Sequence, residues 1–174
     1  MLADAYPYRY IMDEAVGKDG HLRNSLYKFR SSKSRLWYIV LVEHYSYDVY
    51  AVKFYLKANR NSKDRYRLMT NTFEPRRIIN TCINIMLAIY AGNPKASFGF
   101  VGANGFGESE AETKRYRVYS TMVATYFSDQ VFLHKENKKK SAYLLINRQM
   151  LEQDPTLTDK IEQYFGAQYA YFEQ

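Results

Sequence analysis

The sequence predicts an α/β fold of the α+β kind, an antiparallel β-meander followed by helix, strand, helix, strands and helix around a mixed sheet. Three observations point to it. Residues 26–70 form short segments rich in β-branched and aromatic side chains, separated by polar turns. Two helical patterns, one after Pro75 and one after Ser109, flank a single short strand. A pair of strand-like segments at 131–147 then precedes an amphipathic stretch. No internal repeat or low-complexity linker interrupts the 174 residues, so one domain over 1–174 is expected.

The meander segments are 26–31 (LYKFRS), 36–46 (LWYIVLVEHYS), 49–58 (VYAVKFYLKA) and 65–70 (RYRLMT). In the third, Tyr50, Val52, Phe54 and Leu56 alternate with Ala51, Lys53, Tyr55 and Lys57, so one face is apolar and the other cationic. The second is apolar on both faces, as a central strand is. Tyr47-Asp48 and Asn59 to Asp64 supply turn residues.

After Pro75, Ile78, Ile79, Cys82, Ile83, Ile85, Met86, Ile89 and Tyr90 surround much of a helix, which predicts burial. Gly92-Asn93-Pro94 is its stop signal. Residues 96–103 (ASFGFVGA) read as a strand ending in the glycine-containing loop 104–108. Ser109 with Glu112 reads as a capping box opening a helix to about Phe127, with Ala111, Val118, Tyr119, Met122, Val123 and Tyr126 as its core stripe. Strands at 131–135 and 141–147 are joined by the turn 136–140. A last helix from about Pro155 carries Leu157, Ile161, Tyr164 and Phe165 on one face.

The charge is +7, from 25 Lys and Arg against 18 Asp and Glu, and it is unevenly spread. Lys18 to Arg77 holds 14 basic and 5 acidic residues, a net of +9, whereas Leu151 to Gln174 is net −4. A basic partner surface is therefore expected in the first half. The longest apolar stretches, Leu36 to Val42 and Ile85 to Ala91, are seven residues each, against the roughly 20 that span a bilayer. The single Cys82 cannot form an intrachain disulfide, and the N-terminal MLADAYPYRYIMDEAV has neither the basic nor the apolar region of a signal peptide. A cytoplasmic protein is expected.

Motifs of enzymatic chemistry are sparse. His21, His44 and His134 are scattered, with no partner at metal-ligand spacing, and Cys82 falls in the most apolar helix. No catalytic residue, metal or cofactor is assigned. Gly102, Gly105 and Gly107 fit neither phosphate-loop spacing, and Glu108, Glu110 and Glu112 would repel a phosphate there. Two arginine pairs are candidate anion sites. Arg76 and Arg77 oppose the dipole in the first turn of the buried helix, and Arg115 borders the core stripe of the second while Arg117 points elsewhere. Lys53, Tyr55, Lys57, Arg65 and Arg67 are the candidate nucleic-acid face, since cations meet phosphates while an aromatic ring stacks on a base. A solvated outer face is the alternative for these residues.

Ser97 to Gly102 (SFGFVG), Arg115 to Tyr119 (RYRVY) and Ala142 to Arg148 (AYLLINR) resemble a family of small uncharacterised bacterial proteins found mainly in Bacteroidetes. That resemblance implies the order of elements and no activity. The order of three antiparallel strands, helix, strand, helix, strand is also similar to that of the GNAT acyltransferases. Their coenzyme A loop carries glycines, and the corresponding Met69 to Arg77 (MTNTFEPRR) has none. Three functional readings result: a non-enzymatic protein whose basic surface binds nucleic acid or an acidic protein partner, a GNAT-like or nucleotide-ligand enzyme using Arg76, Arg77 and Arg115, and an oligomeric interaction protein joined through the aromatic C-terminus from Tyr164 to Phe172.

Overall fold

A computed structural model describes residues 1–66, 74–101, 109 and 111–169, of which 166–169 are described for the backbone alone. Seven strands form one mixed sheet in the order β1-β2-β3-β4-β5-β7-β6. β1 (Tyr8–Lys18), β2 (His21–Arg30), β3 (Trp37–Tyr45) and β4 (Val49–Leu56) make the antiparallel meander. A short 3-10 turn, Lys57–Asn59, follows β4, and α1 (Pro75–Gly92) crosses over to β5 (Ser97–Val101), which lies parallel to β4. α2 (Lys114–Tyr126) leads to the hairpin of β6 (Phe132–Asn137) and β7 (Ala142–Asn147), with β7 antiparallel to both neighbours. α3 (Arg148–Gln153) and α4 (Leu157–Tyr169) complete the chain. The mixed α/β architecture and its meander are those expected. Among the described residues no helix is long and apolar enough to cross a membrane.

The larger core lies between the sheet and α1 with α2. Tyr38, Val40, Val42, Tyr50 and Val52 from the meander meet Ile78, Ile79, Ile83 and Ile85 of α1 and Tyr116, Met122 and Val123 of α2. A smaller core on the opposite face seats Leu157, Ile161 and Phe165 of α4 on Tyr45, Val49, Ala51, Leu144 and Ile146. β4 thus feeds both cores by its alternation, and the face expected to be cationic is instead largely apolar, with Val49 and Ala51 in the second core, Tyr55 buried and Lys57 beyond the strand.

Four local readings are corrected. β1 is an additional strand at the edge of the sheet, and a bulge between Tyr10 and Met12 breaks the alternation that would have marked it. Residues 65–66 are a turn instead of the start of a strand, and 67–70 lie outside the described residues, as does the loop 104–108. α2 starts later than the Ser109/Glu112 capping box implies. Its N-cap is Thr113, whose hydroxyl accepts from Tyr116 N at 3.1 Å, while Glu112 takes a positive φ of 44° and Ala111 stands exposed before the helix. α1 does end at its stop signal: Gly92 is the last helical residue and Asn93 closes the helix in extended geometry, its N–H donating to Ile89 O. α3 is a short helix that the polar stretch 148–153 did not suggest.

α1 also carries a buried polar stripe. Asn84 pairs twice with the main chain of Leu2 (2.7 and 3.1 Å), Thr81 Oγ1 accepts from Tyr6 N (2.9 Å), and Asn80 Nδ2 donates to Asp4 O (2.7 Å). The stripe holds the N-terminal segment along the helix, supplying hydrogen bonds to a segment that, among the described residues, has no strand partner of its own.

Candidate functional site

The meander's two faces differ in cover. Even-numbered residues of β2 and odd-numbered residues of β3 and β4 face away from α1. α4 covers part of this outer face at Tyr45, Val49 and Ala51. Further along the strands, Ile39, Leu41 and Tyr55 form a small buried patch with Leu26, and Tyr66 packs onto it. A run of tight turns brings Tyr66 there: Arg60 N, Ser62 N and Arg65 N each donate to a carbonyl three residues back. The Arg65 guanidinium then lies 4.8 Å from the Tyr55 ring centroid and 5.0 Å from that of Tyr66.

Beside this patch the sheet is open. Trp37, the chain's one tryptophan, is 41% exposed. The Lys28 ammonium sits 5.3 Å from its ring centroid, and Arg30 is its cross-strand neighbour. Arg9 of β1 stands opposite Lys28 on the same face. Arg30 is exposed and donates its Nε–H to Arg35 O at 3.0 Å, which anchors the guanidinium. The result is a partly exposed indole ring among cations on the sheet. A cation–π contact of this kind orients the ring, so less ordering remains to be done when a ligand arrives.

The residues expected at a nucleic-acid face are distributed unevenly over this surface. Tyr55 and Arg65 come together, but the Tyr55 ring is only 8% exposed and its face is taken by Arg65. Lys53 Nζ is 2.9 Å from Glu43 Oε1 and 5.1 Å from the Tyr66 ring centroid, a position between α4 and the 57–66 segment. Burial pulls this ammonium below its ordinary value, and Glu43 acts against that shift. Lys57 is exposed in the 3-10 turn, and Arg67 lies outside the described residues. Arg9, Lys28, Arg30 and Trp37 were not singled out from sequence. Alternation was the available signal, since Lys28 and Arg30 flank the buried Phe29 in LYKFR and must point the other way.

The arginine pairs occupy the first turns of two helices. Arg76 is exposed, whereas Arg77 lies 4.2 Å from the Tyr6 ring centroid, donates to Ser32 Oγ at 3.2 Å and has Asp4 at 3.7 Å. Arg115 is partly buried beside Tyr119 on α2, and Arg117 is exposed.

Two polar clusters have the residue types of catalytic sites without their connectivity. Ser25 Oγ donates to Asp13 Oδ1 at 2.6 Å and lies 2.8 Å from His44 Nε2. The hydroxyl has one proton, given to Asp13, so His44 must donate its Nε2–H, and no base faces the Ser25 oxygen. Ser25 is also only 4% exposed. In a nucleophilic triad the histidine would accept from the serine and the carboxylate would orient the histidine. On the outer face, Glu43 joins Lys53 with His21, which lies 3.9 Å away and stacks on Tyr45. Cys82 is buried and its thiol is pushed up to about 12 by desolvation, so it stays a neutral core group. Among the described residues no group of three His, Cys, Asp or Glu is placed to hold a metal ion.

His44 makes the fold sensitive to mild acid. Burial, reinforced by Arg23, lowers it from 6.5 to about 4. A depressed pKa means stability that is fully present above pH 6.5 and is lost as pH falls through 4. Each pH unit is worth about 1.4 kcal/mol for one proton; discounted for solvent screening at a half-buried ring, the expected loss is about 1–2 kcal/mol. Urea midpoints measured from pH 7 to pH 4 should show this slope, and His44→Gln, which keeps a donor to Ser25, should flatten it. An equal slope in both proteins would refute the assignment.

No protein-family model, curated protein or solved structure matches the chain.

Proposed function

We propose that the chain is a non-enzymatic cytoplasmic protein that binds single-stranded nucleic acid on the open outer face of β2 and β3. The observation that carries this reading is Trp37, exposed on a sheet and flanked by Lys28 and Arg30. Stacking on a base suits the exposed indole, and single strands are the nucleic acids that present unstacked faces. Arg9, Lys28 and Arg30 supply the phosphate contacts, and the first half of the chain supplies the surrounding positive field.

Fluorescence anisotropy with labelled single- and double-stranded oligonucleotides tests the proposal, because it separates stacking from charge. Trp37→Ala should weaken single-strand binding by about 1–3 kcal/mol and leave the salt dependence unchanged. Lys28→Glu with Arg30→Glu should weaken it and reduce the slope of log K against log salt by about 1.4, for two lost contacts. Absence of binding at about 50 mM salt, where phosphate contacts are strongest, refutes the nucleic-acid reading. An acidic protein partner is favoured instead if a polyglutamate peptide binds and Trp37→Ala leaves that binding intact.

A further inference from the structure

β1 presents a long edge with no pairing partner among the described residues. It has 11 residues, about twice the usual strand length, and among the described residues it pairs only with β2. Residues 9–19 are all exposed, including Tyr10 at 56%, Ile11 at 41%, Met12 at 45% and Val16 at 40%. The opposite edge, β6, is six residues long and displays Lys135 and Glu136, in keeping with the usual protection of edges by brevity and charge. β1 has charges too, but their spacing fits another purpose.

We infer that β1 pairs antiparallel with β1 of a second copy of this chain, about a two-fold axis between Ile11 and Met12. This register sets Arg9 opposite Glu14, Tyr10 opposite Asp13 and Ile11 opposite Met12, each pair occurring twice by symmetry. The faces agree. Arg9 is paired with Lys28 and Glu14 with Asn24, positions four apart on β2 and therefore on one face of the sheet. Tyr10 and Asp13 are paired with Tyr27 and Ser25, which share the other face. Arg9 and Glu14 are an odd number of residues apart, and only the bulge at Ile11 brings them to one face. Alternative registers lack this match. An axis through Ile11 opposes Arg9 to Asp13 across different faces, and an axis through Asp13 sets that carboxylate against its own copy. Among the described residues neither Arg9 nor Glu14 is held in a salt bridge within the chain.

The dimer would be a continuous sheet in which both copies present Lys28, Arg30 and Trp37 on the same side. The inference does not depend on nucleic-acid binding, and its test is performed without nucleic acid.

Sedimentation equilibrium of the full chain over about 1–100 µM should show a concentration-dependent dimer. Arg9→Glu alone, or Glu14→Arg alone, places like charges opposite each other twice and should raise the dimer dissociation constant about tenfold or more. The double variant, Arg9→Glu with Glu14→Arg, restores opposite charges in the same register and should return the constant to within about threefold of the wild type. Both side chains are exposed, so circular dichroism should report an unchanged fold in all three. A wild-type chain that stays monomeric throughout overturns the inference. So does a dimer indifferent to the single charge reversals, as one joined through the C-terminal aromatic residues would be, or a double variant no better than the singles.

Discussion

Phe29→Ala is expected to cost about 3–5 kcal/mol, the range for deleting a fully buried phenylalanine. Phe29 is 1% exposed and is the middle ring of a stack. Its centroid is 5.1 Å from Tyr38 with planes 5° apart, and 5.6 Å from Tyr6 with planes 12° apart. Removing it leaves a void that neither neighbour can fill without surrendering other bonds. Tyr38 is on a central strand, and Tyr6 is held by its hydroxyl, which donates to Glu74 Oε2 at 2.5 Å and lies 3.2 Å from Ser31 Oγ. The loss is large against the 5–15 kcal/mol that small domains usually possess. Urea denaturation followed by circular dichroism measures it, and a loss below about 1 kcal/mol would contradict the packing described. Because Tyr6 anchors the N-terminal segment, amide exchange at Leu2 and Tyr6 should quicken in this variant before the central strands are affected.

The stack separates what strand alternation can signal from what it cannot. That Phe29 is buried and Lys28 and Arg30 are not follows from alternation. That Tyr6 covers Phe29 does not, because it depends on Asn80, Thr81 and Asn84 turning a polar stripe of α1 toward a segment about 75 to 80 residues earlier. Those three residues interrupt a helix otherwise read as apolar, and their polarity had no local explanation. β1 was hidden for a different reason. Its bulge shifts the phase of alternation between Tyr10 and Met12, and an edge strand exposed on both sides has little apolar pattern to show. The start of α2 was misplaced because its determinants are tertiary. Glu112 N donates to Lys138 O and Thr113 N to Ser141 Oγ, contacts from the β6–β7 connection that fix the chain just ahead of the helix.

The candidate site divides in the same way. Basic residues alternating with aromatic ones were visible, and the choice fell on β4, where the alternation is cleanest. Which cations remain open is decided by register and by later segments. β4 pairs so that Lys53 lies diagonal to Glu43 on β3, and the 57–66 segment returns to place Arg65 and Tyr66 over Tyr55. Neither event leaves a local trace in sequence. Among the described residues the more exposed face belongs to β2 and the start of β3, and Trp37 is there.

Gly99→Ala should destabilise the fold by about 3 kcal/mol, at the upper end of overpacking costs, although it adds one methyl group. Gly99 lies in the middle of β5, where a Cβ would run into Phe165 Cζ and come within 2.8 Å of Cε1 and 3.0 Å of Leu144 Cδ2. Phe165 is the innermost residue of α4, 1% exposed, so its ring cannot tilt away freely and must take the helix with it. The glycine therefore exists for the approach of α4, a role distinct from conformational freedom, since its φ is not positive. Gly92→Ala is the matching control. Nothing lies within 4 Å of a Cβ there and the residue is helical, so alanine should be neutral or stabilise by up to about 1 kcal/mol. Phe165→Leu combined with Gly99→Ala should recover at least about 1 kcal/mol of the loss, because a smaller side chain makes room for the new methyl group. Thermal or urea midpoints of the four proteins decide the matter, and a Gly99→Ala variant as stable as Gly92→Ala would show that α4 is not seated on β5 as described. The consequence reaches the outer face. α4 covers Tyr45 and Ala51 at one end of the surface whose other end holds Trp37, so loosening it should widen the exposed sheet and raise non-specific association of the chain without improving base stacking at Trp37.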